Sequence, residues 1–281
     1  MLICEGFPMT PLLPAPGLLS GLSLKLEYLN PSLSIKHRSL PTTLLERARA
    51  GRISRDATLV IMTAGSAGVS VAWAASQIGC KALLLMPDSA PDSVVNYARW
   101  LGAEVERRPH PQLQELLDAH RGMPGSHVVE QLSDPELIGH YREVGEELLR
   151  QAPGLAAVTV SAGTCASLMG IAEALAPAGV PVYAVEPAEA AVLSGEPWRP
   201  HNIPGLAPPA PTRLFRREAV AGIVLVASEL AWSAAREALA ACGEPVGPSS
   251  GASIAAARML RERGVDGDIA AVCSSHMVTS L

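Results

Sequence analysis

Uniformly apolar stretches of strand length, followed by small-residue turns and then by stretches of helix length, constrain this chain more than any other feature. TLVIM (58–62) runs into TAGSAG (63–68) and then VSVAWAASQIG. KALLLM (81–86) leads through a proline-punctuated turn to NYARWLGAEV, and AAVTVS (156–161) through AGTCAS to LMGIAEALA. LSLKLE, VYAVEP and the closing IAAVCSS read as further strands. Helices are expected from about Lys36 to Ala50, from Leu137 to Gln151, and at 228–242 and 251–263. Strands that stay apolar along their length belong in sheets covered on both faces. Their alternation with helices predicts an α/β fold with one or two parallel sheets. At 281 residues and 48% hydrophobic content, one large core or two modest ones are within reach. The proline-rich excursion at 196–212 is the natural long loop, and long loops in compact enzymes tend to be functional.

Composition narrows the partners. A net charge of -5 offers no basic footprint for nucleic acid, and pairs such as Arg107–Arg108 and Arg216–Arg217 read as solvated loop charges. No run approaches the roughly 18 unbroken apolar residues of a membrane helix. The first residues, MLICEGFPMTPLLPAPG, lack a basic region and are broken by prolines, so no signal peptide is expected. The five cysteines are scattered and form no CxxC pair. That pattern predicts neither a zinc site nor a disulfide framework, and points to a reducing cytoplasm. His140, His201 and His276 have no metal-ligand spacing.

Ligands of open parallel sheets bind beyond the carboxyl ends of strands, where the turn enters a helix. TAGSAG presents Ser66 and free N–H groups at such a start, and AGTCAS presents Thr164 and Ser167. A helix N-terminus of this kind suits phosphate or carboxylate, although either turn alone reads equally well as a tight connection. GPSSGAS (247–253) opens a third helix, where Ser249 or Ser250 would simply cap it. Neither GxGxxG nor GxxxxGK is present, which disfavours dinucleotide and P-loop sites, and no GxSxG elbow supports a hydrolase.

Lysine occurs only at 25, 36 and 81. Lys25 and Lys81 read as edge or strand-start charges. Lys36, in NPSLSIKHR, could form a Schiff base if held in a partly apolar site, although a surface lysine at a helix start is the plainer reading. His37 reads as a helix-surface residue rather than a proton relay, and Trp73, Trp100, Trp198 and Trp232 as packing residues.

In order along the chain, these motifs resemble the cysteine synthase and cystathionine β-synthase family of pyridoxal-phosphate enzymes, of the tryptophan-synthase-β type (fold type II). KLEYLNPSLSIKHR resembles the family's K-x-E-x-x-N-P-S/T-x-S-x-K-x-R, and TAGSAG its T-S-G-N-T-G loop. GTCASLMG resembles the phosphate loop G-T-G-G-T-x-T-G, and PSSGAS the family's G-I-S-S-G-A. TPL (10–12), LGAEV (101–105), EQL (130–132), VEPAEAAVLSG and PHNIPG (200–205) have counterparts too.

The resemblance implies two parallel-sheet α/β domains with pyridoxal 5'-phosphate between them. Residues 1–37 and 146–281 would form the larger domain and 38–145 a smaller, mobile substrate domain. Lys36 would carry the cofactor and act catalytically. Gly163, Thr164 and Ser167 would cradle its phosphate together with the N–H groups of Cys165 and Ala166. Ser66 would stand where the family's asparagine meets the cofactor's phenolic oxygen, and Ser249 would face the pyridine nitrogen. The loop Thr63, Ala64, Gly65, Ser66 and Ala67 would bind the substrate carboxylate with Gln131.

The implied activity is β-replacement on an O-activated serine, with a small amino acid as substrate and a homodimer as the assembly. A lyase giving pyruvate and ammonia is the alternative. So is a degenerate paralogue that holds pyridoxal phosphate, or a partner's C-terminal peptide, without turnover. The chain departs from the family at Ala64, Ser66 and Ala67 (Ser, Asn and Thr there), and at Cys165 and Ala166 (two glycines). Gly205-Leu206-Ala207-Pro208-Pro209 replaces G-I-G-A-G, and Cys273-Ser274-Ser275-His276 the closing P-S/D-S-G. The lost loop hydroxyls point to a specialised biosynthetic role as readily as to housekeeping cysteine synthesis.

Overall fold

In the computed structural model, residues 8–209 and 212–281 are described. Cys4 and the first seven residues of the N-terminal stretch read for a signal peptide lie outside these residues, as do Ala210 and Pro211 of the proline-rich excursion. The chain opens with β1 (Leu12–Pro14) and β2 (Leu22–Lys25), a 3₁₀ turn (Ile35–Arg38) and α1 (Leu40–Arg49). β3 (Thr58–Met62), α2 (Ser66–Ile78), β4 (Lys81–Met86), α3 (Asp92–Trp100), β5 (Glu104–Arg107), α4 (His110–Arg121) and β6 (Ser126–Val128) follow. Next come α5 (Glu136–Gly139), α6 (Arg142–Gln151), β7 (Leu155–Ser161), α7 (Ala166–Leu175) and β8 (Val182–Pro187). β9 (Gly222–Val226), α8 (Ser228–Cys242), α9 (Pro248–Glu262) and β10 (Asp268–Val272) close the chain.

Two compact units result. One comprises residues 30–131 with 278–281, the other 8–29 with 132–277. The smaller unit holds a four-stranded sheet in the order β5-β4-β3-β6, all parallel. Leu59, Val60 and Ile61 of β3 are all fully buried, which is why that strand does not alternate: both its faces are covered. The larger unit holds a six-stranded sheet, β1-β2-β10-β7-β8-β9, parallel except for the antiparallel edge strand β1. α9 lies against β7, β8, β9 and β10 and packs on α8, where Gly251 approaches Ala231 and Ala235. α6 and α7 pack together, and α7 also lies against β7 and β8.

The expected divisions at 37/38 and 145/146 differ from the contact boundaries at 29/30 and 131/132. The segment carrying Lys36 packs on α1 and α2, so it belongs to the smaller unit, whereas α5 and α6 pack on α7 and belong to the larger. The expected helix from Lys36 is a 3₁₀ turn followed by α1, whose start is fixed by Pro41 in its first turn. The expected helix Leu137–Gln151 is two helices, interrupted at His140–Tyr141. Strands β1, β6 and β9 and helix α4 went unread in the sequence, three of them being short and half-buried.

Candidate active site

Within the smaller unit, the segment before Lys36 is held on both sides. Ser70 of α2 donates from Oγ to Ser32 Oγ at 2.9 Å, and the Tyr97 hydroxyl of α3 donates to Pro31 O at 2.7 Å. Ser34 caps the 3₁₀ turn, accepting from the Lys36 N–H at 3.3 Å. Lys36 remains partly accessible, but burial of its ammonium lowers its pKa from the ordinary lysine value. Desolvation penalises the charged form, so the amine is biased toward the neutral nucleophile that a Schiff base requires.

His37 corrects its sequence reading. It is fully buried, with its ring edge-on to Trp73 at 4.7 Å. Burial first, and then Arg38, push its pKa down to about 3, so it stays neutral at physiological pH and is neither a surface residue nor a ready proton carrier. Lys25 is corrected too. It lies wholly inside the larger unit, paired with Glu147 and donating to Thr10 O and Gln151 Oε1, each at 2.8 Å. Lys81 is an exposed strand start, as expected. Among the tryptophans, Trp100 is 79% exposed and is no packing residue.

Thr63 follows β3, and its Oγ1 accepts from the Gly65 N–H at 3.2 Å, which shapes the turn. Gly65 precedes α2 with extended backbone and no side-chain cap, so the first N–H groups of this helix have no side chain to satisfy them. Ala64 is exposed and Ser66 sits at the helix start, whereas the methyl of Ala67 is closed off in the interior. Ala67 therefore offers its backbone rather than its side chain. Gln131 donates from Nε2 to Met62 O at 3.2 Å, beside the same turn.

In the larger unit, the turn after β7 carries Gly163, Thr164 and Cys165. Gly163 has no room for a side chain, because a Cβ there would collide with Gly205 O. Ala207 N–H donates to Ala162 O at 3.1 Å, and Thr212 Oγ1 donates to Thr164 O at 2.7 Å, so a second loop clasps this turn. Cys165 precedes α7 with a left-handed backbone (φ 66°), and Ala207 also has positive φ (36°). Both occupy positions where the resembling family has glycine, so the glycine-type backbone survives without the glycine. Nothing caps α7 from a side chain, which leaves N–H groups of Ala166 and Ser167 at an anion-ready helix start. Burial, and then Glu186, raise the Cys165 thiol to about 12, so it is not a nucleophile at neutral pH.

Ser249 and Ser250 are not caps. α9 begins at Pro248 after Gly247, and Ser249 faces Ser274 and Ser275 with Oγ–Oγ distances of 3.1 and 2.7 Å. Thr212 and Ser275 were missed as site residues. A hydroxyl pair directly after a closing strand was the available signal for Ser275. For Thr212, nothing local distinguishes it.

The family model described as a pyridoxal-phosphate dependent enzyme matches residues 3–275. The chain belongs to the pyridoxal-phosphate-dependent enzymes. Cysteine synthase 3 of Caenorhabditis elegans is 31% identical over 260 residues, covering 88% of this chain and 76% of that protein. A cysteine synthase of Staphylococcus aureus (strain N315) is 30% identical over 267 residues, covering 90% and 85%. An O-ureido-L-serine synthase structure superposes with a TM-score of 0.85 at 26% identity, covering 96% of this chain and 89% of that one. This pyridoxal-phosphate enzyme thus lies in the cysteine synthase branch of fold type II.

Its residues fit the cofactor. A buried lysine amine is biased toward neutrality, and an uncapped ten-residue helix starts behind a turn too tight for any side chain on Gly163. Among the described residues, no cluster of three or more His, Cys, Asp or Glu could hold a metal ion, and no helix is long and apolar enough to cross a membrane.

Proposed function

We propose that this enzyme carries out β-replacement on an O-activated serine, forming cysteine or a related β-substituted alanine. The observation that carries the reading is Lys36: it lies in a segment fixed by Ser32–Ser70 and Tyr97–Pro31, with its charged form disfavoured. When bound, pyridoxal phosphate supplies the electron sink that makes the substrate α-proton removable. Lys36 would attach the cofactor and then, as a free amine, take that proton. Gly163, Thr164, Cys165, Ala166 and Ser167 would hold the phosphate, and Ser249 would meet the ring nitrogen. Thr63, Ala64, Gly65, Ser66 and Ala67 would receive the substrate carboxylate with Gln131, chiefly through backbone N–H groups. A neutral hydroxyl at the ring nitrogen favours elimination and re-addition at the β-carbon over chemistry that needs a fully protonated ring.

The relatives named cysteine synthase support sulfide as the nucleophile, and the O-ureido-L-serine synthase supports a different one on the same fold. The smaller unit carries the substrate loop, and we propose that it is the mobile one. A cytoplasmic homodimer is also part of this reading, supported by the scattered cysteines and the family resemblance.

The test is direct. Borohydride should fix the cofactor to Lys36, and Lys36→Ala should abolish the adduct. Incubation with O-acetylserine or O-phosphoserine and a thiol should give the substituted alanine. Label on Lys25 or Lys81, or pyruvate and ammonia as the sole products, would overturn the assignment.

A further inference from the structure

Ser249 is one corner of a hydroxyl trio whose other corners, Ser274 and Ser275, come from the segment after β10. Ser275 is locked through its backbone. Ser250 Oγ donates to Ser275 O at 3.0 Å and accepts from Ser275 N–H at 3.1 Å, while Gly247 N–H donates to Ser275 O at 2.8 Å. Its side chain has a place made for it as well. A Cβ on Gly247 would stand 2.5 Å from Ser275 Oγ, closer than real atoms approach, so the missing side chain at 247 is what admits the hydroxyl. Ser249 is fixed from the sheet side, where Ser161 Oγ of β7 donates to Ser249 O and also meets Ser253 Oγ at 2.7 Å.

A serine hydroxyl has one proton to give and two lone pairs that accept. Ser274 and Ser275 together can fill both lone pairs of Ser249 Oγ, which leaves its single proton for a third partner. Resting on the reading that Ser249 faces the cofactor's ring nitrogen, we propose that Ser275 is a positioning residue. Its hydroxyl donates to Ser249 Oγ and thereby commits the Ser249 proton to that nitrogen. The trio contains no carboxylate, so the nitrogen receives a hydrogen bond without a full proton.

The experiment reads the absorbance and fluorescence of the bound cofactor, and its affinity for the resolved protein, in Ser249→Ala, Ser275→Ala, Ser275→Thr and Gly247→Ala. Ser275→Ala should move the cofactor band in the same direction as Ser249→Ala and weaken cofactor binding by about three- to tenfold, the worth of one neutral hydrogen bond. Ser275→Thr, which keeps the hydroxyl, should restore the parental band. Gly247→Ala keeps every hydroxyl but crowds Ser275 Oγ, and its φ of -75° suits alanine, so it should reproduce the Ser275→Ala spectrum. A shifted band in Ser249→Ala, with parental spectra in Ser275→Ala and Gly247→Ala, would overturn the proposal and leave the reading of Ser249 standing. Equal shifts in Ser275→Ala and Ser275→Thr would overturn it by showing that space, not the hydroxyl, matters. A silent Ser249→Ala would remove Ser249 from the ring nitrogen and the proposal with it. If Ser275→Ala fails to fold, Gly247→Ala and Ser275→Thr decide the matter on the same criteria.

Discussion

A methyl group on Gly163 would drive into the backbone oxygen of Gly205, so the turn after β7 is shaped by a loop some forty residues further along the chain. Gly163→Ala should therefore force the two backbones apart, with a stability loss of about 1–3 kcal/mol as for other overpacked sites. Urea denaturation of the cofactor-free protein checks this, and cofactor retention should fall in parallel. An unchanged urea midpoint would show that the clasp is loose.

Thr164→Val tests the turn proposed for the phosphate without crowding it. Loss of one hydrogen bond to a charged group costs about 1.5–3 kcal/mol, so the cofactor's dissociation constant should rise roughly ten- to hundredfold. Thr212 bonds the Thr164 carbonyl, not its side chain, so the turn itself should persist. Unchanged affinity would move the phosphate elsewhere.

The pH dependence of the cofactor-free protein follows from Lys36. Burial lowers its pKa in the folded chain below the ordinary 10.5. Between the two values, the unfolded chain binds a proton that the folded chain refuses, so stability rises with pH across that interval. Lys36→Met should flatten that rise and leave the cofactor-free protein more stable than its parent at neutral pH. Urea midpoints from neutral pH up to the lysine range would reveal it, and parallel profiles would refute it.

Lys25 and Glu147 form a buried ion pair. Lys25→Met alone removes the counter-charge paired with the buried Glu147 carboxylate and should cost about 3–5 kcal/mol, whereas Lys25→Met with Glu147→Leu should recover most of that loss. Double-mutant denaturation measures both. Additive losses would mean that the two charges are not coupled.

The loop proposed for the substrate carboxylate gives the last expectation. Ala64→Ser with Ser66→Asn adds carboxylate-binding groups at the turn and should raise kcat/KM for O-acetylserine with sulfide roughly tenfold or more. Adding Ala67→Thr should instead cost about 1–3 kcal/mol of stability, because the Ala67 methyl is already enclosed. High activity of the parent on O-acetylserine would show that the missing groups are not needed.

Much of this protein was legible in its sequence because the informative signals are local. TLVIM, KALLLM and VYAVEP are strands over the ranges their composition marks, and α8 spans its expected residues. The turns around Ser66 and Thr164 do open helices. Backbone propensity and turn chemistry act over a few residues, and a run of buried β-formers carries its own label. The edge strand β1 carried no such label, since two half-buried leucines and an exposed proline have no period to read.

The amino-acid sequence determined the strand–turn–helix grammar and the family. Tertiary structure decided what surrounds each polar group. Lys25 looked like a strand-edge charge until Glu147, 122 residues away, met it inside the larger unit. His37 looked solvated until Trp73 covered it, and Ser249 looked like a helix cap until Ser275 reached it. The physical reason is the same each time. Burial and hydrogen-bond partnership depend on which distant segment the fold brings alongside, and that is a property of the packed chain, not of any window along it.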